Sequence, residues 1–171
     1  MLTALVKLEE EYEALVGFLM ARQELSLVNA VTHNYRKTYL LSCASYSETE
    51  IRDIIKGFIR CHCDDARVYE FAVRKGVQRQ YHTCFRWEET NNINSFLSLF
   101  GEGFKQTVLE EIRTDAHLRA CVGAFLTIGR ERNAMMHENY ITYPLDKTFE
   151  ELKLLNRRAY QFVTYLKEQF T

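Results

Sequence analysis

Chain-breaking residues are almost absent from this sequence, with one proline and seven glycines in 171 residues. A backbone so rarely interrupted favours long helices over many short strands joined by tight turns. Leu5, Leu8, Tyr12, Leu15, Val16, Leu19 and Met20 recur at three- and four-residue spacing and predict a first helix over 3–30. Leu41, Ala44, Glu48, Ile51, Ile55 and Phe58 fall near one line of a second helix over 36–60. Glu48 is the odd member, since a carboxylate on an apolar stripe needs a partner or a route to water. Residues 61–65 read as a loop, 67–75 as a short helix ended by Gly76, and 94–100 and 104–113 as further helical pieces. Thr114 or Asp115 then caps a long helix reaching roughly 138. Pro144 is the one clear break, and Thr148-x-x-Glu151 forms a capping-box pattern that opens a last helix running almost to Thr171. The expectation is an all-α, antiparallel helical bundle forming one domain over 1–171, with an irregular insertion around 61–92. That length suffices for a substantial core.

The long helix ends in Arg130-Glu131-Arg132-Asn133-Ala134-Met135-Met136-His137. Leu118, Cys121, Val122, Phe125, Gly129, Arg132 and Met136 share one stripe at about 100° per residue. Arg132 therefore points along the apolar side. Asn133 sits at the margin, with His137 one turn beyond it and Arg130 on the same face. An arginine in an apolar stripe is costly unless it is paired or faces a wet cleft. Two readings follow. One is a buried ion pair with Glu48, with His137 merely ending the helix, where the dipole favours it. The other is a cleft at a two-fold contact between copies.

Arg132-Asn133-x-x-x-His137 resembles the signature of the HEPN superfamily of small α-helical proteins, and the chain looks closest to its free-standing RiboL-PSP type. The resemblance implies a helical bundle that dimerises with the two signatures facing each other. It implies that Arg132, Asn133 and His137 are the active-site residues of an endoribonuclease that needs no metal or other cofactor. It also implies a toxin or antiviral (abortive-infection) effector acting as a homodimer on an RNA substrate, with a cognate antitoxin or regulatory protein as a further partner. One subset of such proteins carries His-x-Tyr, the tyrosine being the residue its antitoxin modifies. Here His137-Glu138-Asn139-Tyr140 is one residue too long, so Tyr140 departs from that pattern. A module of this fold that binds RNA, a nucleotide or a protein without cutting is the alternative.

The residue types suit the chemistry independently. Attack by a 2′-hydroxyl needs a base, an acid for the leaving 5′-oxygen and positive charge on the phosphorane. Histidine suits either proton role near neutrality, and arginine supplies a planar, permanently charged fork. One chain offers one motif histidine whereas a symmetric dimer offers two. The expected products are a 2′,3′-cyclic phosphate and a 5′-hydroxyl.

The net charge of −1 provides no global attraction to nucleic acid, so affinity must be local. Residues 66–87 carry Arg67, Arg74, Lys75, Arg79 and Arg86 against Glu70 alone, interleaved with Tyr69, Phe71, Tyr81, Phe85 and Trp87. That mixture suits single-stranded RNA, with cations on phosphates and rings for stacking. The competing reading puts the cations on a solvated face and the rings in the core. Cys61-His62-Cys63 with His82 and Cys84 has poor spacing for zinc, and no metal site is expected. There is no P-loop, dinucleotide turn, HExxH or nucleophile elbow. With no positive n-region at Met1–Thr3, reduced thiols are expected at Cys43, Cys61, Cys63, Cys84 and Cys121, in a soluble cytoplasmic protein. No apolar run is long enough to span a membrane.

Overall fold

A computed structural model describes residues 3–78, 80–87 and 93–171. Among them the chain forms eight α-helices and no strand: α1 Thr3–Ala21, α2 Leu25–His62, α3 Ala66–Ala72, α4 Tyr81–Cys84, α5 Asn94–Ser98, α6 Glu102–Thr114, α7 Ala116–His137 and α8 Phe149–Gln169. None of these helices is long and apolar enough to cross a membrane.

The first helix stops well short of residue 30. Gln23 sits at φ 60°, Glu24 N–H donates to Leu19 O at 3.1 Å and Gln23 N–H donates to Met20 O at 3.0 Å. This is a Schellman turn with glutamine where glycine is usual, so no residue type announces it. The chain reverses within three residues, and α2 starts at Leu25 rather than at 36, extending over 38 residues. At 1.5 Å per residue α2 is about 57 Å long and runs the length of the molecule.

Partner residues give the directions. Tyr12 reaches Thr32 and Tyr35 while Glu9 reaches Tyr39, so α1 and α2 are antiparallel. Tyr46 stacks on Tyr160 and Phe58 meets Phe170, so α2 and α8 run the same way, each beside its antiparallel partner, α1 or α7. Asp115 serves two helices. Its N–H donates to Glu111 O at the end of α6, and its carboxylate accepts from His117 N–H (2.7 Å) and Leu118 N–H (3.1 Å) to open α7. The capping box of α8 forms as its spacing predicts, with Thr148 Oγ1 accepting from Glu151 N–H and the Glu151 carboxylate accepting from Thr148 N–H. Gly101 takes φ 94° between α5 and α6, a conformation that glycine alone adopts freely.

Of the insertion expected around 61–92, residues 79 and 88–92 lie outside the described residues, and 61–78 with 80–87 form short helical pieces rather than irregular chain. Asp65 caps α3, and Gly76 does not break the helix but lies inside a π turn, Val73–Val77, that continues it. A π turn widens the spiral by one residue, which places both Val73 and Val77 in the core. Tyr81, Phe85 and Trp87 are buried too, and Phe85 stacks on Phe96 at 4.8 Å and meets Phe125 at 5.2 Å. Trp87 packs on α7 at Gly129, where any Cβ would overlap the six-membered ring of the indole. A buried polar trio crosses the bundle, Tyr39 donating to Glu9 and accepting from Asn156. The five cysteines are free thiols.

Candidate active site at the end of α7

The Asp115 cap starts α7, and Glu138 N–H donates to Ala134 O as its last hydrogen bond. Its core face carries Leu118, Cys121, Val122, Phe125, Ile128, Gly129 and finally Met135. The apolar stripe was expected to end on Met136, but Met136 is 56% exposed and Met135 is fully buried. The core edge has rotated by one residue, because the chain after His137 packs on the Met135 side. Arg132 is consequently half-buried, beside the stripe's end rather than under it.

The Glu48–Arg132 ion pair, one of the two readings of that stripe, does not form among the described residues. Glu48 pairs with Arg52 one turn along α2, at 3.6 Å, a cheaper match because both lie on one rigid helix. Arg132 instead turns to α4, donating toward the His82 ring at 3.3 Å (Nη1 to Nδ1) and 3.4 Å (Nη2 to Nε2). Tyr81 beside them has its phenol pushed up, first by burial and then by the Glu48 carboxylate, with Arg132 opposing.

The other motif groups are left open. Asn133 is half-buried, His137 is exposed, and neither makes a side-chain hydrogen bond among the described residues; nor does Arg130. At 100° per residue, Asn133 and His137 are about 40° apart around α7 and Arg130 and His137 about 20°, so these three share a face. Arg132 is about 140° from His137 and about 7.5 Å along the axis. Within one chain the arginine fork and the imidazole do not converge.

The segment after the motif is tied down by residues that sequence reasoning passed over. Lys37 of α2 is 1% exposed, and its ammonium donates to Tyr140 O (2.6 Å) and Ile141 O (3.0 Å), with the Tyr140 ring at 5.3 Å. Arg36 donates to Lys147 O at 3.0 Å. Glu131, inside the motif run, accepts from Tyr143 Oη (2.9 Å) and Lys147 Nζ (2.8 Å). Burial and then this hydrogen bond push the Tyr143 phenol up to about 12. The run thus alternates outward groups with one inward anchor. Tyr140 is spatially near the motif end, held by its backbone and with its ring partly exposed.

The basic segment disperses. Arg67 makes a bidentate pair with Asp65 (3.1 and 2.7 Å), an acid just outside the stretch considered, and Arg74 pairs with Glu70 at 3.1 Å. Lys75 and Arg86 are exposed, and Arg79 lies outside the described residues. Tyr81, Phe85 and Trp87 are core residues and cannot offer a stacking face, whereas Phe71 is exposed. No group of three or more His, Cys, Asp or Glu among the described residues could hold a metal ion. His82 faces Arg132 while Cys84 is buried with its thiol on Gln80 O.

No curated protein and no solved structure matches the chain significantly. A family model does, RiboL-PSP-HEPN, and it spans residues 6–171, from within α1 to the last residue. The chain is a member of the RiboL-PSP-HEPN family.

Proposed function

We propose that this protein is a metal-independent endoribonuclease that works as a homodimer, with Arg132, Asn133 and His137 at its active site. The carrying observation is that Asn133 and His137 stand one turn apart on the exposed margin of α7, unpaired among the described residues, while neighbouring Glu131 is fully engaged. Membership in an RNA-associated family supports the same reading.

His137 takes the proton of the 2′-hydroxyl or gives one to the leaving 5′-oxygen. Asn133 orients the phosphate or the ring, Arg132 binds the non-bridging oxygens, and Arg130 adds a second cation on the His137 face. The separation of about 140° between Arg132 and His137 argues for a shared site. A second copy about a two-fold axis at the end of α7 provides the other imidazole. It would also cover Met136 and Ile141, which are 56% and 78% exposed beside the motif. Products are a 2′,3′-cyclic phosphate and a 5′-hydroxyl. A toxin or antiviral effector, restrained by a cognate antitoxin or regulatory protein, is the biological role that fits such an enzyme.

The test is RNA cleavage by the purified protein beside His137→Ala. Loss of one acid–base group lowers the rate by about 10²–10⁴-fold. Mixing Arg132→Ala with His137→Ala should restore part of the activity if Arg132 of one copy works with His137 of the other, and none if both imidazoles are required. A His137→Ala protein as active as the parent would remove His137 from the chemistry, and RNA left intact by both would favour a binding module.

A further inference from the structure

The contact between Arg132 and His82 borders a cavity of about 400 Å³ between α2 and α4, lined by Glu48, Arg52, Gln78, Tyr81 and His82. Its size falls in the range of small-ligand sites, roughly 300–1,000 Å³. We propose that this cavity is a nucleotide subsite beside the scissile phosphate, that His82 is the positioning residue holding Arg132 at its mouth, and that the occupant is a ribonucleotide whose base carries an exocyclic amine. The proposal rests on the ribonuclease reading above and adds to it a pocket and a substrate preference.

Three observations carry it. First, the contact is selective for a state of His82. A guanidinium can only donate, so Arg132 needs a ring nitrogen with a free lone pair, which the neutral imidazole has once and the imidazolium not at all. Second, that hold leaves donors free. His82 faces one contact from each Nη, at 3.3 and 3.4 Å, so the remaining N–H groups of Arg132 can donate to a phosphate oxygen while the ring keeps the fork aimed. Third, the lining fits a base and sugar better than a second phosphate. Arg52 is already matched by Glu48, leaving Arg132 as the unneutralised cation, while Glu48 still presents acceptor capacity and Gln78 offers both donor and acceptor.

Adenine, cytosine and guanine each bring an amine that a carboxylate can accept from, whereas uracil brings one ring N–H between two carbonyls. The carboxylate repels those carbonyls. The charged and titratable groups facing His82 are Glu48 and Arg52 from α2, Arg132 from α7 and Tyr81 beside it.

The experiment measures binding of four fluorescein-labelled 2′-O-methyl pentanucleotides (A, C, G and U) to the full chain, where no cleavage can occur. The expected result is weaker binding of the U oligomer than of the best other base. His82→Ala should weaken that best oligomer about tenfold, the equivalent of one charge-assisted hydrogen bond. His82→Gln, which keeps an acceptor for Arg132, should recover most of the loss. His82 is exposed, so the thermal midpoint should hardly move. Equal affinity for all four oligomers, unchanged affinity in His82→Ala, or no binding by the parent would overturn the subsite even if RNA is cut. Selective, His82-dependent binding without any cleavage would uphold the subsite and sink the nuclease reading instead.

Discussion

Gly129→Ala is the sharpest structural perturbation the fold offers. In an exposed helix interior this change stabilises by about 1 kcal/mol, since glycine has more backbone freedom to lose. Here the new Cβ would overlap the six-membered ring of Trp87, so the indole must move or α7 must shift from it. Overpacking of that kind costs about 1–3 kcal/mol. Trp87 is wedged against Tyr81, Phe85 and Phe125, so relief by a small rotation is blocked. With relief blocked the cost sits at the upper end, about 3 kcal/mol, and the gain of about 1 leaves a net loss of about 2 kcal/mol in urea unfolding. Trp87 is the only tryptophan, so its fluorescence reports the same event. In a Trp87→Ala background the sign should reverse, Gly129→Ala becoming neutral or stabilising. A neutral or stabilising Gly129→Ala in the parent chain would refute the packing of residues 81–87 onto α7, and with it the placement of His82 beside Arg132.

Other expectations can be checked separately. Lys37→Met should leave two backbone carbonyls without their donor, costing about 1–3 kcal/mol in unfolding free energy. It should also slow RNA cleavage, because the segment following His137 loses its anchor. Tyr143 has a folded pKa raised to about 12, above its unfolded value of about 10. Its contribution is therefore complete below pH 10 and disappears as pH rises through about 12, a limb that Tyr143→Phe should remove from the stability profile. A double-mutant cycle between Glu48 and Arg132 should give a stability coupling within about 0.5 kcal/mol of zero, because Glu48 pairs with Arg52. A coupling above about 1 kcal/mol would restore the buried ion pair that the sequence pattern suggests.

Local signals decide the structure where the chemistry is local. The Asp115 cap, the Thr148–Glu151 box and the break at Pro144 bracket α7 and α8 because caps act within a few residues of their helix. The α1–α2 reversal was invisible because Gln23 occupies a backbone conformation its residue type rarely takes, and apolar spacing continues across the turn. Gly76 misled for the opposite reason, since a π turn tolerates it. In the candidate site, the face shared by Asn133, His137 and Arg130 follows from helical spacing alone. The partner of Arg132 does not. His82 lies 50 residues earlier in a region without periodicity, and packing of Tyr81, Phe85 and Trp87 brings it to α7. Arg67 pairs with Asp65, which lies just before the basic stretch, so the charge of residues 66–87 is partly offset by a neighbour outside them.

The central claim is tested most directly by incubating the purified protein with total RNA in excess EDTA, beside His137→Ala, and identifying the fragment ends. Cuts are expected in the parent sample alone, with 2′,3′-cyclic phosphates on one side and 5′-hydroxyls on the other. Intact RNA, or cuts that persist in His137→Ala, would contradict a nuclease that works through His137.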